Sequence, residues 1–439
     1  MLLATALVPT VVRANPPQLS FEALPEPTHR VWTLDAALAW ALQNNPELAV
    51  LRQQHGIAEA AVVIARTYPF NPASENRIQE ASGPASAGIT NVIPLENLLL
   101  LEVEIRHQGR YRRQAALAGL SRTDWDIAFQ EQSLAVRVMR AFGELLYRRQ
   151  KLELLEETIR LNEQLVRDVQ RLLAAGRLAG PDLIVAQTEV DATRALLGTA
   201  RGLLSQSQYS LARELGLVEG VLEIQGSLEV PAPTGDAEVL TQVALERRAD
   251  LRSTQAAVAE AEANLRLEVA NRFGNPVIGP AFTYDPTRVS SAGVQINFPL
   301  PVLNTHRGEI MQRRVQQGQA ELDVRRAEIQ VRQDVQTALS RLRATTAVVE
   351  TYRDKILPNL RQSLNQIQQL FRAGQPGVDL LRVVDVQRKL LQARDNYLDA
   401  LFELNQARAD LAAAIGEPIV TAGPGATPET ASEPLPPQP

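Results

Sequence analysis

Side chains able to do chemistry are few and widely spaced in these 439 residues, which include no cysteine and four histidines. Without cysteine there is no thiol nucleophile, disulfide or zinc–thiolate centre, and a lipid-anchored mature N-terminus is not expected. His29, His55, His107 and His306 are too scattered to read as a ligand set, and the three methionines form no cluster. No metal and no cofactor is therefore expected. A glycine-rich phosphate loop, a nucleophile elbow and a histidine–carboxylate cluster are all missing from the sequence, so an enzyme has nothing to work with. A net charge of −5 and 4% aromatic residues give neither a basic footprint nor stacking platforms for nucleic acid. What remains is apolar and charged surface repeated at regular intervals, a chemistry of packing and passage.

The elements that place this surface are organised around two short copies of one turn. RLLAAGRLAGPDL at 171–183 and QLFRAGQPGVDL at 369–380 each sit between long helical patterns. Gly176 and Gly374 stand where a helix would otherwise continue, because glycine accepts the left-handed conformation at a helix end. A second glycine and a proline follow, and then an aspartate, Asp182 or Asp379, suited to the positive N-terminus of the returning helix.

Before the first turn one helical pattern runs from about residue 109 to 175, with apolar residues 3 and 4 apart in the manner of a coiled coil. At 1.5 Å per residue it is a rod of roughly 100 Å. The returning helix ends at Gly216, with Leu183, Val190, Leu197, Leu204 and Leu211 seven apart. The whole plan then recurs: a long helix from about 308 to 373, the second turn, and a return through Val383, Leu390, Tyr397, Leu404 and Leu411 to Gly416. Each long helix is preceded by a broken helix, at NPEL (45–48) and RADL (248–251), and by alternating segments. In the first half Leu101, Val103 and Ile105 alternate with Glu102, Glu104 and Arg106 over 98–107, facing a weaker partner near 72–79. In the second half two strands flank DPTRVS, with Val294, Ile296 and Phe298 on one side.

The fold class expected is mainly α with a small β part: two tandem repeats of long helical hairpins, with four strands per chain. The divisions are 1–30, a signal-like segment and extended tail; 31–230, the first repeat; 231–417, the second; and 418–439, a proline-rich tail without fixed structure. The apolar run Leu2–Val8 lacks a preceding basic residue, so an export signal with its first residues missing and a plain apolar start both fit. No stretch is long and apolar enough for a spanning helix. Four strands cannot close a barrel, but three copies would bring twelve. A soluble sheet edge on a coiled coil fits the same alternation.

The doubled turn, the NPEL and RADL starts, the strand entries FNP (70–72) and FGNP (273–276), and FPLPVLNTHRGEI (298–310) together resemble the TolC family of outer-membrane factors, over about residues 31–417. The last segment is similar to cobalt–zinc–cadmium-type efflux members; EIRHQGRYRRQA (104–115) matches their first strand-to-helix junction loosely. The resemblance implies a homotrimeric exit duct in the bacterial outer membrane, with a trimeric 12-stranded barrel in the lipid and helices in the periplasm. The duct would be a passive conduit of a tripartite efflux system, docked to a periplasmic adaptor and an inner-membrane RND-type pump. It further implies that the turns dock the adaptor: Leu172, Gly176, Arg177 and Leu178 in one copy, Leu370, Phe371, Gly374 and Gln375 in the other. Glycines that merely close a helix read the same way. Where family members carry paired aspartates at the narrowing of the duct, this chain has Arg382 and Asp385, with Asp379 a turn earlier. A mixed ring of that kind sets ion selectivity or pairs between chains, and a solvated helix face is the plain alternative. A soluble coiled-coil scaffold and the exit duct of a type I protein secretion system stay open as other functions.

Overall fold

The structure is a computed structural model that describes residues 31–83, 86, 93–176, 179–218, 222–229, 235–373, 375 and 380–417. The signal-like segment, the C-terminal tail, His29, Arg177, Leu178, Gly374 and Asp379 lie outside the described residues.

After a two-residue strand β1 (Val31–Trp32), Thr33 accepts a hydrogen bond from the Ala36 N–H at 3.3 Å and starts α1 (Leu34–Asn44). Asn45 ends it, and its Oδ1 accepts from the Leu48 N–H at 3.1 Å to cap α2 (Pro46–Arg66). Pro46 occupies a position where the missing N–H costs nothing. Strands β2 (Ala73–Ile78) and β3 (Leu95–Glu102) follow, then α3 (Gln108–Ala174), 67 residues without a break. Gly176, at φ 70°, turns the chain, and the Asp182 carboxylate accepts from the Ala179 N–H at 3.0 Å as α4 (Gly180–Leu215) begins. The second half repeats the order: β4 (Glu223–Ile224), α5 (Ala237–Arg247), α6 (Ala249–Asn271), β5 (Val277–Tyr284), β6 (Ser290–Asn297), α7 (Arg307–Thr351), α8 (Leu357–Arg372) and α9 (Leu380–Ile415). Both rods, α3 and α7, start from a histidine in the left-handed region, His107 and His306.

The second rod is not the unbroken helix that its periodicity suggests. Tyr352–Ile356 form a π-turn between α7 and α8, in which the Leu357 N–H reaches the Tyr352 carbonyl. Pro358 accounts for it: its ring offers no N–H and would press on the carbonyl four residues back, and a widened turn relieves that clash.

The helices form a wall one layer thick. α3 packs against α2 and α4 on one flank and against α6 and α9 on the other, while α7 lies beyond α6 and α9. α4 ends on the break between α1 and α2: a Cβ on Gly216 would sit 2.6 Å from Pro46 Cδ. α9 ends on the break between α5 and α6, where a Cβ on Gly416 would sit 3.0 Å from Arg248 Cγ. Two shorter helices therefore run tip to tail beside each rod. α1, α5 and the parallel pair β1–β4 gird this joint. The main core lies there, including Trp32, Leu134, Val138, Leu145, Leu211 and Leu411.

β2, β3, β5 and β6 make one antiparallel sheet in that order, so β2 and β6 are its two edges. β3 begins at Leu95 and stops at Glu102, earlier than the alternation over 98–107 suggests. The chain leaves the ladder because it must turn into α3; the Val103 N–H still reaches the Pro276 carbonyl at 2.9 Å, and the Glu104 N–H donates to the Tyr68 hydroxyl at 3.0 Å. β1 and β4 were not legible as strands.

Candidate functional site

The sheet register sorts its side chains into two faces. Leu101, Ile278 and Ile296 share one row, and Asn97, Phe282 and Ala292 another. On the same face stand Leu95, Leu99, Tyr284 and Val294, since side chains alternate with period two. Val294 and Ile296 are 70% and 60% exposed, high for isoleucine and valine in a finished sheet. The opposite face carries Glu75, Arg77, Glu96, Glu102, Gln295 and Asn297, and among its apolar residues are Leu98, Leu100 and Val277. Val103, Ile105 and Phe298 lie just past the strand ends, with Ile105 and Phe298 exposed.

Where sheet meets helices, polar groups close on one another. Buried Gln108 donates to Asn275 at 2.6 Å, Asn275 donates to Glu102 at 3.0 Å, and Arg112 pairs with Glu104 at 2.6 Å. Asn275 belongs to the FGNP entry, so that motif anchors a strand to the first rod.

Below the sheet one stripe of α9 is polar throughout: Arg382, Lys389, Asn396, Glu403 and Asp410, seven apart. Asp410 takes Arg140 from α3 and Arg341 from α7, each at 2.5 Å, so one carboxylate ties both rods to α9. Arg341 also reaches Glu403 at 2.7 Å. Asp410, Arg140 and Arg341 border a groove of about 710 Å³ with Arg137, Arg248 and Asp334. Arg248 is buried at the α5–α6 break; burial would lower its pKa, but Asp250 at 2.6 Å and Asp334 at 2.8 Å hold it raised. Burial likewise opposes the charge on Lys151, and Asp395 and Asp399 at 2.5 and 2.8 Å outweigh it. The shared role of Asp410 had no signal in the sequence. Arg248 had one: it stands in RADL where Asn45 stands in NPEL.

Toward the turns the apolar core thins to Val169, Ala186, Leu380 and Val384, with Phe371 packed against them. Polar contacts take over. Gln387 donates to Asn162 at 3.0 Å and Asn162 to Thr193 at 3.3 Å, a buried chain across α9, α3 and α4. Arg394 makes two bonds of 2.8 Å to Glu157, and Arg194 pairs with Glu163 at 2.6 Å. Of the expected tip residues, Gly176, Leu370 and Gln375 are exposed, while Leu172 and Phe371 are half-buried and line a groove of about 590 Å³ between α3 and α8. Arg382 and Asp385 are exposed on α9, and Asp385 pairs along its own helix with Lys389 at 2.8 Å. No cluster of His, Asp or Glu suited to a metal occurs among the described residues.

A long-rod wall carrying a half-apolar, open-edged sheet defines a class of channel protein, and the comparisons give that class its family. Residues 240–417 match the outer membrane efflux protein family. The cobalt-zinc-cadmium resistance protein CzcC of Cupriavidus metallidurans is 23% identical over 389 residues, covering 88% of this chain and 90% of the relative. The crystal structure of CusC superposes with a TM-score of 0.73 at 17% identity, covering 88% of this chain and 92% of that one. The open state of the Neisseria gonorrhoeae MtrE outer membrane channel gives 0.66 at 17% identity, over 88% and 89%. The second half of the chain thus carries an outer membrane efflux protein domain, and the fold of the whole is similar to that of these outer membrane channels. It is an outer-membrane efflux channel protein whose helices lie in the periplasm.

Proposed function

We propose that three copies of this chain close one exit duct, with twelve strands in the outer membrane and the helical wall below them forming a tube. The observation that carries this reading is the sheet. β2 and β6 end it with unpaired edges, and an open edge in lipid leaves backbone groups without partners, which only a closed barrel avoids. Leu101, Val294 and Ile296 then face lipid, with Val103, Ile105 and Phe298 continuing the band at its rim. The charged face lines the lumen.

The turns at the far end dock a periplasmic adaptor and, through it, an inner-membrane RND-type pump. Leu172, Gly176, Arg177 and Leu178 contribute on one hairpin, and Leu370, Phe371, Gly374 and Gln375 on the other. Asp379, Arg382 and Asp385 line the narrowing, where Asp385 is already held by Lys389. Substrate passes without bond making or breaking, and the pump selects it. The likeness to a cobalt–zinc–cadmium resistance protein supports heavy-metal export as the setting.

Cell fractionation followed by native mass measurement tests the proposal. The protein is expected in the outer-membrane fraction, requiring detergent, at the mass of three copies. A one-copy species in the soluble fraction would overturn it in favour of a coiled-coil scaffold.

A further inference from the structure

The two junctions between sheet and rod are not copies of one another. From β3 to α3 the chain takes five residues, 103–107; from β6 to α7 it takes nine, 298–306. The longer junction reads FPLPVLNTH, and its apolar side chains are bare in the protomer: Leu300, Val302 and Leu303 are 75%, 78% and 98% exposed, and Phe298 is exposed as well. The path of the loop is nonetheless fixed. At its start Pro299 lies against Gly274, where a Cβ would come within 2.5 Å of the proline ring. In its middle the Val302 N–H donates to the Leu300 carbonyl at 2.9 Å, a three-residue turn around Pro301. At its end the His306 N–H donates to Asn304 Oδ1 at 3.0 Å, and His306 Nδ1 lies 3.1 Å from Glu268 of α6. Two prolines leave the backbone little freedom between these anchors.

Alternation carried past the end of β6 puts Phe298 and Leu300 on the side of Val294 and Ile296, the apolar face of the sheet. A strand added at the open β6 edge would lie in the plane of the sheet and leave that side uncovered. The loop backbone also suits an apolar medium. Pro299 and Pro301 have no N–H, and that of Val302 is bonded within the loop, so few donors would be stranded away from water. Charge gathers at the base of the loop. Arg106, Arg272 and Arg307 are exposed and form no ion pair among the described residues. The Arg106 guanidinium stacks over Phe273 at 3.9 Å, next to the Gly274 that holds Pro299, and Arg307 is the first residue of α7. Planar guanidinium groups match phosphate oxygens in geometry and charge.

We propose that loop 298–303 enters the inner leaflet of the outer membrane, with Phe298, Leu300, Val302 and Leu303 among the acyl chains and Arg106, Arg272 and Arg307 against the phosphates of phospholipid headgroups. This rests on the reading that the apolar face of the sheet lies in lipid. It adds a second hold on the membrane, outside the strands and at one of the two junctions in each copy. The rods lie in the periplasm, so the end of the sheet that leads into them meets the inner leaflet. The depth is that of the interface, where apolar side chains sink and basic heads stay at the surface. Because the loop is tied to Gly274 and to Glu268, its depth fixes the height of the whole wall in the bilayer.

The sequence holds no cysteine, so single labels can be placed at will. Leu303→Cys, Val294→Cys and Ile329→Cys are made separately in the full chain and labelled with an environment-sensitive nitrobenzoxadiazole dye. Each is reconstituted in vesicles of phosphatidylethanolamine and phosphatidylglycerol, with or without phospholipid spin-labelled high on its acyl chain. Ile329 is the control, exposed on α7 about 33 Å along the helix from its first residue. Emission at Leu303 is expected to shift to the blue and to lose intensity to the spin label, as at Val294, while Ile329 keeps its intensity. Quenching at Val294 without quenching at Leu303 overturns the loop's lipid contact and leaves the lipid-facing sheet standing; a blue-shifted but unquenched Leu303 would assign its cover to a neighbouring copy. An unquenched Val294 overturns the lipid-facing sheet itself. Arg106→Gln, Arg272→Gln and Arg307→Gln together are expected to weaken the quenching at Leu303, and unchanged quenching overturns the headgroup contact.

Discussion

The girdled joint and the hairpin ends are built from the same helices but held together differently. At the joint, leucines and valines from α3, α4, α7 and α9 are shut in by α1, α5 and the short strands. Toward the turns the buried apolar residues dwindle to a few, and ion pairs and a chain of amides cross the wall instead. Burial of apolar area is undirected and strong in sum; polar pairs in a half-exposed wall contribute little each but fix register. The difference teaches where the tube is rigid and where it can rearrange. The π-turn with Pro358 lies between these two regions on the second rod.

The largest way to break the comparison is a cavity. Leu411→Ala, fully buried at the joint, is expected to cost about 3 kcal/mol, whereas Leu364→Ala, half-buried near the turns, should cost roughly 1 kcal/mol. Equal losses in denaturant unfolding would erase the contrast. Next come the two copies of the joint. Arg248→Ala strips a buried cation from two carboxylates and is expected to cost about 2–3 kcal/mol. Asn45→Ala, which removes a cap and a 2.8 Å bond to the Glu214 carbonyl, should cost about 1–2 kcal/mol. The reverse order in thermal melts would show that the second copy gains nothing from its charge.

Those two sites also show how far the sequence could be read. The repeated helix plan, both turns and the strand hairpins follow from spacing, because heptads, glycines and alternation are local signals. Asn45 and Arg248 were visible as matching helix starts. That Arg248 would meet Asp334 on another rod was not, since the contact depends on how far α6 slides along α7. Asp410 was hidden for the same reason. Pro358 is a local signal against an unbroken helix, but the unbroken period around it hides the widened turn that it causes. Arg382 and Asp385 were placed by resemblance, and their geometry in a ring depends on neighbouring copies.

Smaller effects sharpen the hairpin end. Asn162→Leu together with Gln387→Leu replaces both buried amides by apolar packing and is expected to gain roughly 1 kcal/mol while slowing amide exchange below the joint; faster exchange would contradict a polar layer that trades stability for movement. Arg382→Ala together with Asp385→Ala should raise single-channel conductance with little change in melting, and an unchanged conductance would remove both from the constriction. The smallest effect is acid. Hydrogen bonds from Arg394 hold the Glu157 carboxyl below its ordinary value of 4.5. Its contribution is present above that value and is lost as pH falls through the lowered one. Exchange near Glu157 should then rise on acidification while the joint stays protected, and equal loosening of both would blur the two regions.

The most direct test is to place the purified, detergent-extracted protein in a planar lipid bilayer and record current with no energy source present. Uniform discrete conductance steps, from a particle weighing three copies, are expected if the chain is one third of a passive duct. A silent bilayer, from protein that inserts intact at that mass, would contradict the account.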